Sequence, residues 1–202
     1  MTTNESTTLF TLTVIFFFIM DPVGNIASYL SLVQGLDKKR RYLVLLREML
    51  IALVTTLLFC FLGEFIFKFL EISEVTVRVS IGVILFLVAV KILFPNKDSP
   101  RANLPKGEPF IVPLAIPLVA GPSLLATVML YADLEPSLWL VPEAIFIAWL
   151  ASFAVFLAAP FLQRYLGNNG LLALEKLTGI ILALIAVQKF AEGLHRFFTA
   201  NS

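Results

Sequence analysis

Six stretches of this chain are apolar enough and long enough to cross a bilayer, at about residues 8–35, 43–69, 75–94, 109–132, 138–163 and 171–194. A hydrocarbon core roughly 30 Å thick needs about 20 such residues per helix. Six crossings in a chain of 202 residues leave almost nothing over for a soluble domain. The expected fold is therefore an all-α membrane protein of six transmembrane helices. Charge agrees: only 14% of residues are charged, where a soluble domain carries about 25%. Residues 1–10 hold no Lys or Arg, so the first apolar stretch reads as a retained span and not as a secretory leader.

Short loops that stay in the cytoplasm are enriched in Lys and Arg. With the N-terminus outside, the inner side collects Lys38, Lys39, Arg40, Arg41, Arg47, Lys91, Lys97, Arg101, Lys106, Arg164 and Lys176. The outer side keeps Lys68, Arg78, Lys189 and Arg196, beside acids such as Glu71, Glu74, Asp133 and Glu135. The expectation is a multi-pass protein of the plasma (inner) membrane with both termini non-cytoplasmic. The basic run at 38–41 faces anionic lipid, so no nucleic-acid partner is needed to explain it.

Shifting the sequence by 97 residues places Gly82–Val90 on Gly179–Val187, with six identities and two Val/Ile exchanges, and places Gly24 on Gly121. Two repeats follow, 1–97 and 98–202, within a single membrane domain and joined by a polar, proline-rich linker at 95–107. Three spans per repeat is an odd number, so the halves enter the membrane in opposite senses. Such inverted repeats are common in secondary transporters, where the substrate site lies at mid-membrane beside broken helices.

Spans one and four carry the breaks. Span one contains Asp21, Pro22, Gly24 and Asn25; span four contains Pro117, Ala120, Gly121, Pro122 and Ser123. Proline removes a backbone donor and glycine weakens the helix, while Asn25 or Gly24 is placed to cap a restarted helix. Helix N-termini favour an anion, and Asp21 favours an amine, a sodium ion or a proton. A zwitterionic amino acid satisfies both. An acid inside a span is a functional candidate by default, although a single Pro-Gly break is more often a plain kink. Arg47 and Glu48 are a weaker gate or coupling pair; the plainer reading has Arg47 snorkelling to the interface while Glu48 pairs locally.

One cysteine, Cys60, and one histidine, His195, leave no disulfide framework and no expected metal site. No phosphate-binding glycine loop, catalytic carboxylate pair or nucleophile triad is present, so no enzyme and no cofactor is expected.

The segments MDPVGN at 20–25, KRR followed by RE into span two, and PFIVPLAIPLVAGPS at 109–123 resemble the MarC family of integral membrane proteins over essentially the whole chain. Within it, the resemblance points to a branch of bacterial inner-membrane proteins. It implies six spans and a role in moving small neutral amino acids, with Asp21, Pro22, Gly24 and Asn25 in the first motif and Pro117, Ala120, Gly121 and Pro122 in the second. Ala27 and Ser123 depart from the family's usual proline and glycine. The leading expectation is a secondary transporter of a small neutral amino acid, its coupling ion (Na+ or H+) open. An exporter of another metabolite or drug, or a non-transporting scaffold or regulatory protein, is the alternative. The bilayer and a small-molecule substrate are the expected partners, and a homo-oligomer is compatible with the pattern.

Overall fold

In the computed structural model the described residues are 9–69, 71, 73–94 and 119–200, and among them the chain is helical with no strand. Six elements follow in order: α1 Leu9–Met20, α2 Ile26–Leu32, α3 Lys38–Phe69, α4 Glu74–Leu93, α5 Pro122–Leu134 and α6 Leu140–Ala200. Pro117, the first part of the fourth span and the linker at 95–107 lie outside the described residues.

The 61 residues of α6 would measure about 90 Å if straight, three times the thickness of a hydrocarbon core. The element is broken at Gly167, whose φ of 63° and ψ of −178° are not helical. We treat 140–166 and 168–200 as its first and second arms. Their partners show that the chain reverses between them. The second arm packs antiparallel on α4: Val79 meets Gly193, Gly82 meets Phe190, and Ile92 and Leu93 meet Gly179. The first arm packs antiparallel on α3, Trp149 against Met49 and Phe153 against Tyr42.

Glycine makes the α4 contact close. A Cβ built on Gly82 would stand 2.5 Å from the Phe190 backbone, and one on Gly193 would stand 2.9 Å from the backbone of Val79. Membrane helices gain nothing by hiding apolar surface from lipid, so their association depends on such near approach of backbones. Lys176 closes the same seam, its Nζ donating to the carbonyls of Ile92 and Leu93 at 2.7 and 2.8 Å. These are among the last carbonyls of α4, which have no partner within their own helix. At the other end of α4, Ser73 Oγ accepts the Thr76 amide as an N-cap.

Among the described residues, three helical stretches are long and apolar enough to cross a membrane: Lys38–Gly63, Val75–Leu93 and Leu140–Thr199. α1 and α5 are apolar but shorter. Along α3, Leu50, Val54, Leu58, Phe61 and Phe65 form one exposed stripe at helical spacing, and α4 exposes Val83, Phe86, Leu87 and Val90. Water would not tolerate apolar surface on that scale without a partner; acyl chains do. Leu12, Phe16, Leu45, Met49, Leu124 and Ile145 fill the interior between α1, α3, α5 and the first arm.

Replacing Gly82 by Leu forces α4 away from Phe190. Overpacking of this kind costs about 1–3 kcal/mol, so Gly82→Leu should unfold earlier in a denaturing-detergent titration, whereas Leu87→Ala on the lipid face should change the midpoint far less.

Candidate functional site

α1 stops at Met20 because the next residue leaves helical geometry. Asp21 has φ 44°, a left-handed conformation uncommon outside glycine and better tolerated by Asp than by most residues. The four residues that follow form a turn several of whose polar groups are answered locally. The Asp21 amide still donates back to the carbonyl of Phe17 at 3.1 Å, and the Asp21 carbonyl accepts the Asn25 amide at 3.1 Å. Gly24 N–H donates to Asp21 Oδ1 at 3.1 Å, and Asn25 Nδ2 donates to the Met20 carbonyl at 3.1 Å. Pro22 contributes no donor that would need an answer. Gly24 is required by space: a Cβ there would strike the Asp21 carboxylate.

Asp21 and Asn25 are both buried. The Asn25 side chain makes no capping bond to α2. The sequence suggested a cap; its amide is committed instead to the carbonyl left open at the end of α1. Depth follows from the first arm, where Ser152 Oγ donates to Met20 Sδ at 3.4 Å. Ser152 lies twelve residues beyond the start of that arm at Leu140, about 18 Å along it, which puts the turn beside the middle of the arm.

The second break opens α5. Val119 and Ala120 are buried, Gly121 is extended (φ −72°, ψ 161°), and Pro122 occupies the first turn with no side chain capping it. The Gly121 carbonyl accepts the Leu125 amide at 3.1 Å, and the Ser123 carbonyl accepts Thr127 Oγ at 2.8 Å. α1 reaches α5 through the edge-on contact of Phe16 with Tyr131, ring centroids 6.0 Å apart. That contact lies five residues before Asp21 and ten beyond Gly121.

A third group sits on α3. Glu48 is fully buried, and its Oε1 accepts both Nε and Nη2 of Arg47, at 2.9 and 2.8 Å. The Arg47 side chain is 40% exposed. Glu48 Oε2 is buried and has no hydrogen-bond partner among the described residues. Next along the helix, the Met49 carbonyl accepts the Trp149 indole N–H at 2.7 Å. Trp149 stacks between Phe146 and Phe153, at 5.8 and 5.6 Å.

Trp149 and Ser152 are three residues apart on one helix, hence on neighbouring positions of one face. The first arm therefore bridges the Glu48–Met49 turn and the Asp21 break. Neither Trp149 nor Ser152 stood out as a site residue in the sequence. The available signal was a tryptophan at mid-span, where the interfacial role of that residue does not apply. Among the described residues no group of three His, Cys, Asp or Glu converges.

The model of the MarC family, integral membrane proteins, matches residues 6–198. This chain belongs to the MarC family. Among its relatives, the UPF0056 inner membrane protein YhgN of Escherichia coli is 44% identical over 183 residues, covering 90% of this chain and 93% of that one. A UPF0056 membrane protein of Buchnera aphidicola is 43% identical over 195 residues, 94% and 98% of the two chains. A more distant MarC relative, from Chlamydia pneumoniae, is 33% identical over 190 residues, 92% and 93% of the two chains. No solved structure matches. The family and these relatives put the present chain on the YhgN-like branch of MarC proteins.

Asn25→Asp keeps the size of the side chain and removes the donor to the Met20 carbonyl. A buried acceptor left unanswered costs about 1–3 kcal/mol. The variant should lose stability by that order in a detergent unfolding titration, and a midpoint equal to wild type would contradict the role given to Asn25.

Proposed function

We propose that this MarC protein is a secondary transporter of a small solute, a small neutral amino acid in the first instance, working by alternating access in the bacterial inner membrane. The observation that carries this reading is the turn at Asp21–Asn25, with a buried carboxylate beside the middle of the first arm. Irregular backbone is tolerated there only beside protein or a wet cavity, and an intramembrane acid is costly enough to call for a use. In the proposed site Asp21 holds the substrate ammonium, with Pro22, Gly24 and Asn25 shaping its turn. The start of α5, with Ala120, Gly121, Pro122 and Ser123, offers backbone amides and the positive end of a helix to the carboxylate, and Pro117 belongs to the same sequence motif.

Three features support the six-span, inverted-repeat layout. α2, α3 and α4 have counterparts close to 97 residues later in α5 and the two arms of α6. Counterpart helices run antiparallel where they meet, as an inverted repeat requires. The contacts also exchange: Gly82 rests on Phe190 while Gly179 rests on Leu93, and the same shift carries each pair onto the other. Lys38–Arg41, Lys91, Arg164 and Lys176 gather at the end where α3 and the second arm begin, which favours that end as cytoplasmic. The name of YhgN, an inner membrane protein, supports the location. A scaffold needs neither break nor a buried Asp21, and a metabolite or drug exporter differs from this reading only in its substrate.

The test is uptake and counterflow of labelled alanine, glycine and serine by the purified protein in proteoliposomes. Saturable counterflow of at least one is expected. Asp21→Asn should reduce it by at least about tenfold, the scale of losing one hydrogen bond to a charged group. No flux of any of the three, or equal flux in Asp21→Asn, would contradict the reading.

A further inference from the structure

We propose that Glu48 is the proton-binding carboxylate that couples solute movement to the proton gradient, with Oε2 as the atom that takes the proton. The proposal rests on the transporter reading for its purpose, but the proton site itself stands on separate observations. Glu48 is fully buried and lies ten residues past the start of α3, about 15 Å along the helix. Arg47 directs Nε and Nη2 at Oε1. Oε2 is left buried without a hydrogen-bond donor among the described residues. An ionised carboxylate half-satisfied in a dry interior is an expensive state, and it is relieved by whatever completes Oε2.

A proton fits that vacancy better than a sodium ion. Sodium needs several oxygens around it, converging from several groups. The Arg47 guanidinium on the same carboxylate also repels a second full cation. A proton needs one lone pair. The step is balanced: a proton from water forms an O–H bond at Oε2, the carboxylate charge goes from −1 to zero, and no electrons change hands. Arg47 keeps its charge and loses the negative charge of Glu48 beside it, and its side chain is 40% exposed.

The neighbours make this a coupling device. On the first arm, Trp149 donates to the carbonyl of Met49, the residue next to Glu48, and Ser152 lies one turn on; neither side chain titrates near neutral pH. Ser152 holds Met20, the residue before Asp21. A change in charge at Glu48 thus bears on the one helical turn that supports the substrate-side break. The ionisable groups on the packed elements are Glu143, Arg164 and Tyr165 on the first arm, Tyr131 and Asp133 at the far end of α5, and Asp21 at the break. By helical rise Glu143 and Arg164 stand about 9 and 22 Å from Trp149, leaving Arg47 and Asp21 as the charges that matter.

The experiment is infrared difference spectroscopy of the full chain in liposomes between acid and neutral buffer, run on wild type, Glu48→Gln and Glu48→Asp. A band of a protonated, buried carboxylic acid should appear on acidification in wild type, vanish in Glu48→Gln and shift position in Glu48→Asp. Identical spectra in wild type and both variants would overturn the proposal, and a band surviving in Glu48→Gln would assign the proton to Asp21. Where Glu48→Gln fails to fold, Glu48→Asp alone decides: a shifted band supports the site and an unmoved one removes it. In parallel, the ratio of pH-gradient-driven alanine accumulation to alanine counterflow should fall at least about tenfold in Glu48→Gln, within the usual range of coupling between sites. An unchanged ratio overturns the coupling role. If wild type moves no alanine, the transporter reading fails while the infrared result still settles the proton site.

Discussion

In hydrocarbon every backbone N–H and C=O must find its partner within the protein, since the solvent offers none. That constraint explains the architecture around residues 20–25 better than any propensity. The helix stops, yet its open groups are answered within five residues by Asp21 Oδ1, the Asp21 carbonyl and the Asn25 amide. Pro22 and Gly24 belong to the same solution, one by having no donor and the other by clearing space for the carboxylate. The outcome is a buried acid held by its own turn between two largely apolar helices.

Around it the bundle is organised by the first arm of α6. It supports the α1 break through Ser152, meets α2 through Phe156 and Tyr29, and receives the α3 backbone through Trp149. α4 and the second arm form the other seam, where Gly82, Gly179 and Gly193 let two backbones approach. The first seam is polar and aromatic; the second is small-residue packing, closed at one end by the Lys176 ammonium.

Much of this was legible in the sequence, for physical reasons that differ by element. The break at Asp21–Asn25 was visible because an acid, a proline and a glycine within an apolar run leave the helix few other choices. Pro122 after Gly121 marked the start of α5 for the same reason. The spans expected at about 138–163 and 171–194 leave residues 164–170 between them. In the structure only Gly167 leaves helical geometry: its positive φ turns the chain, and the flanking residues continue as helix on both sides. α3 likewise begins at Lys38, before the apolar edge near 43, because Lys and Arg are good helix formers. The setting of Glu48 was not legible. It depends on Trp149, about a hundred residues away, and no local pattern encodes which face of a distant helix will press on α3.

The account stands on the turn after α1 being a polar pocket that water and solute reach from one side of the membrane. Thiol labelling measures this directly, because a cysteine reacts with a charged methanethiosulfonate only where water ionises it. With Cys60 replaced by Ala, Val23→Cys in the turn should be labelled in intact vesicles, while Leu87→Cys on the lipid-facing side of α4 should not. A Val23→Cys thiol as inert as the one at position 87 would mean that the turn is sealed, and that the polar pocket does not exist.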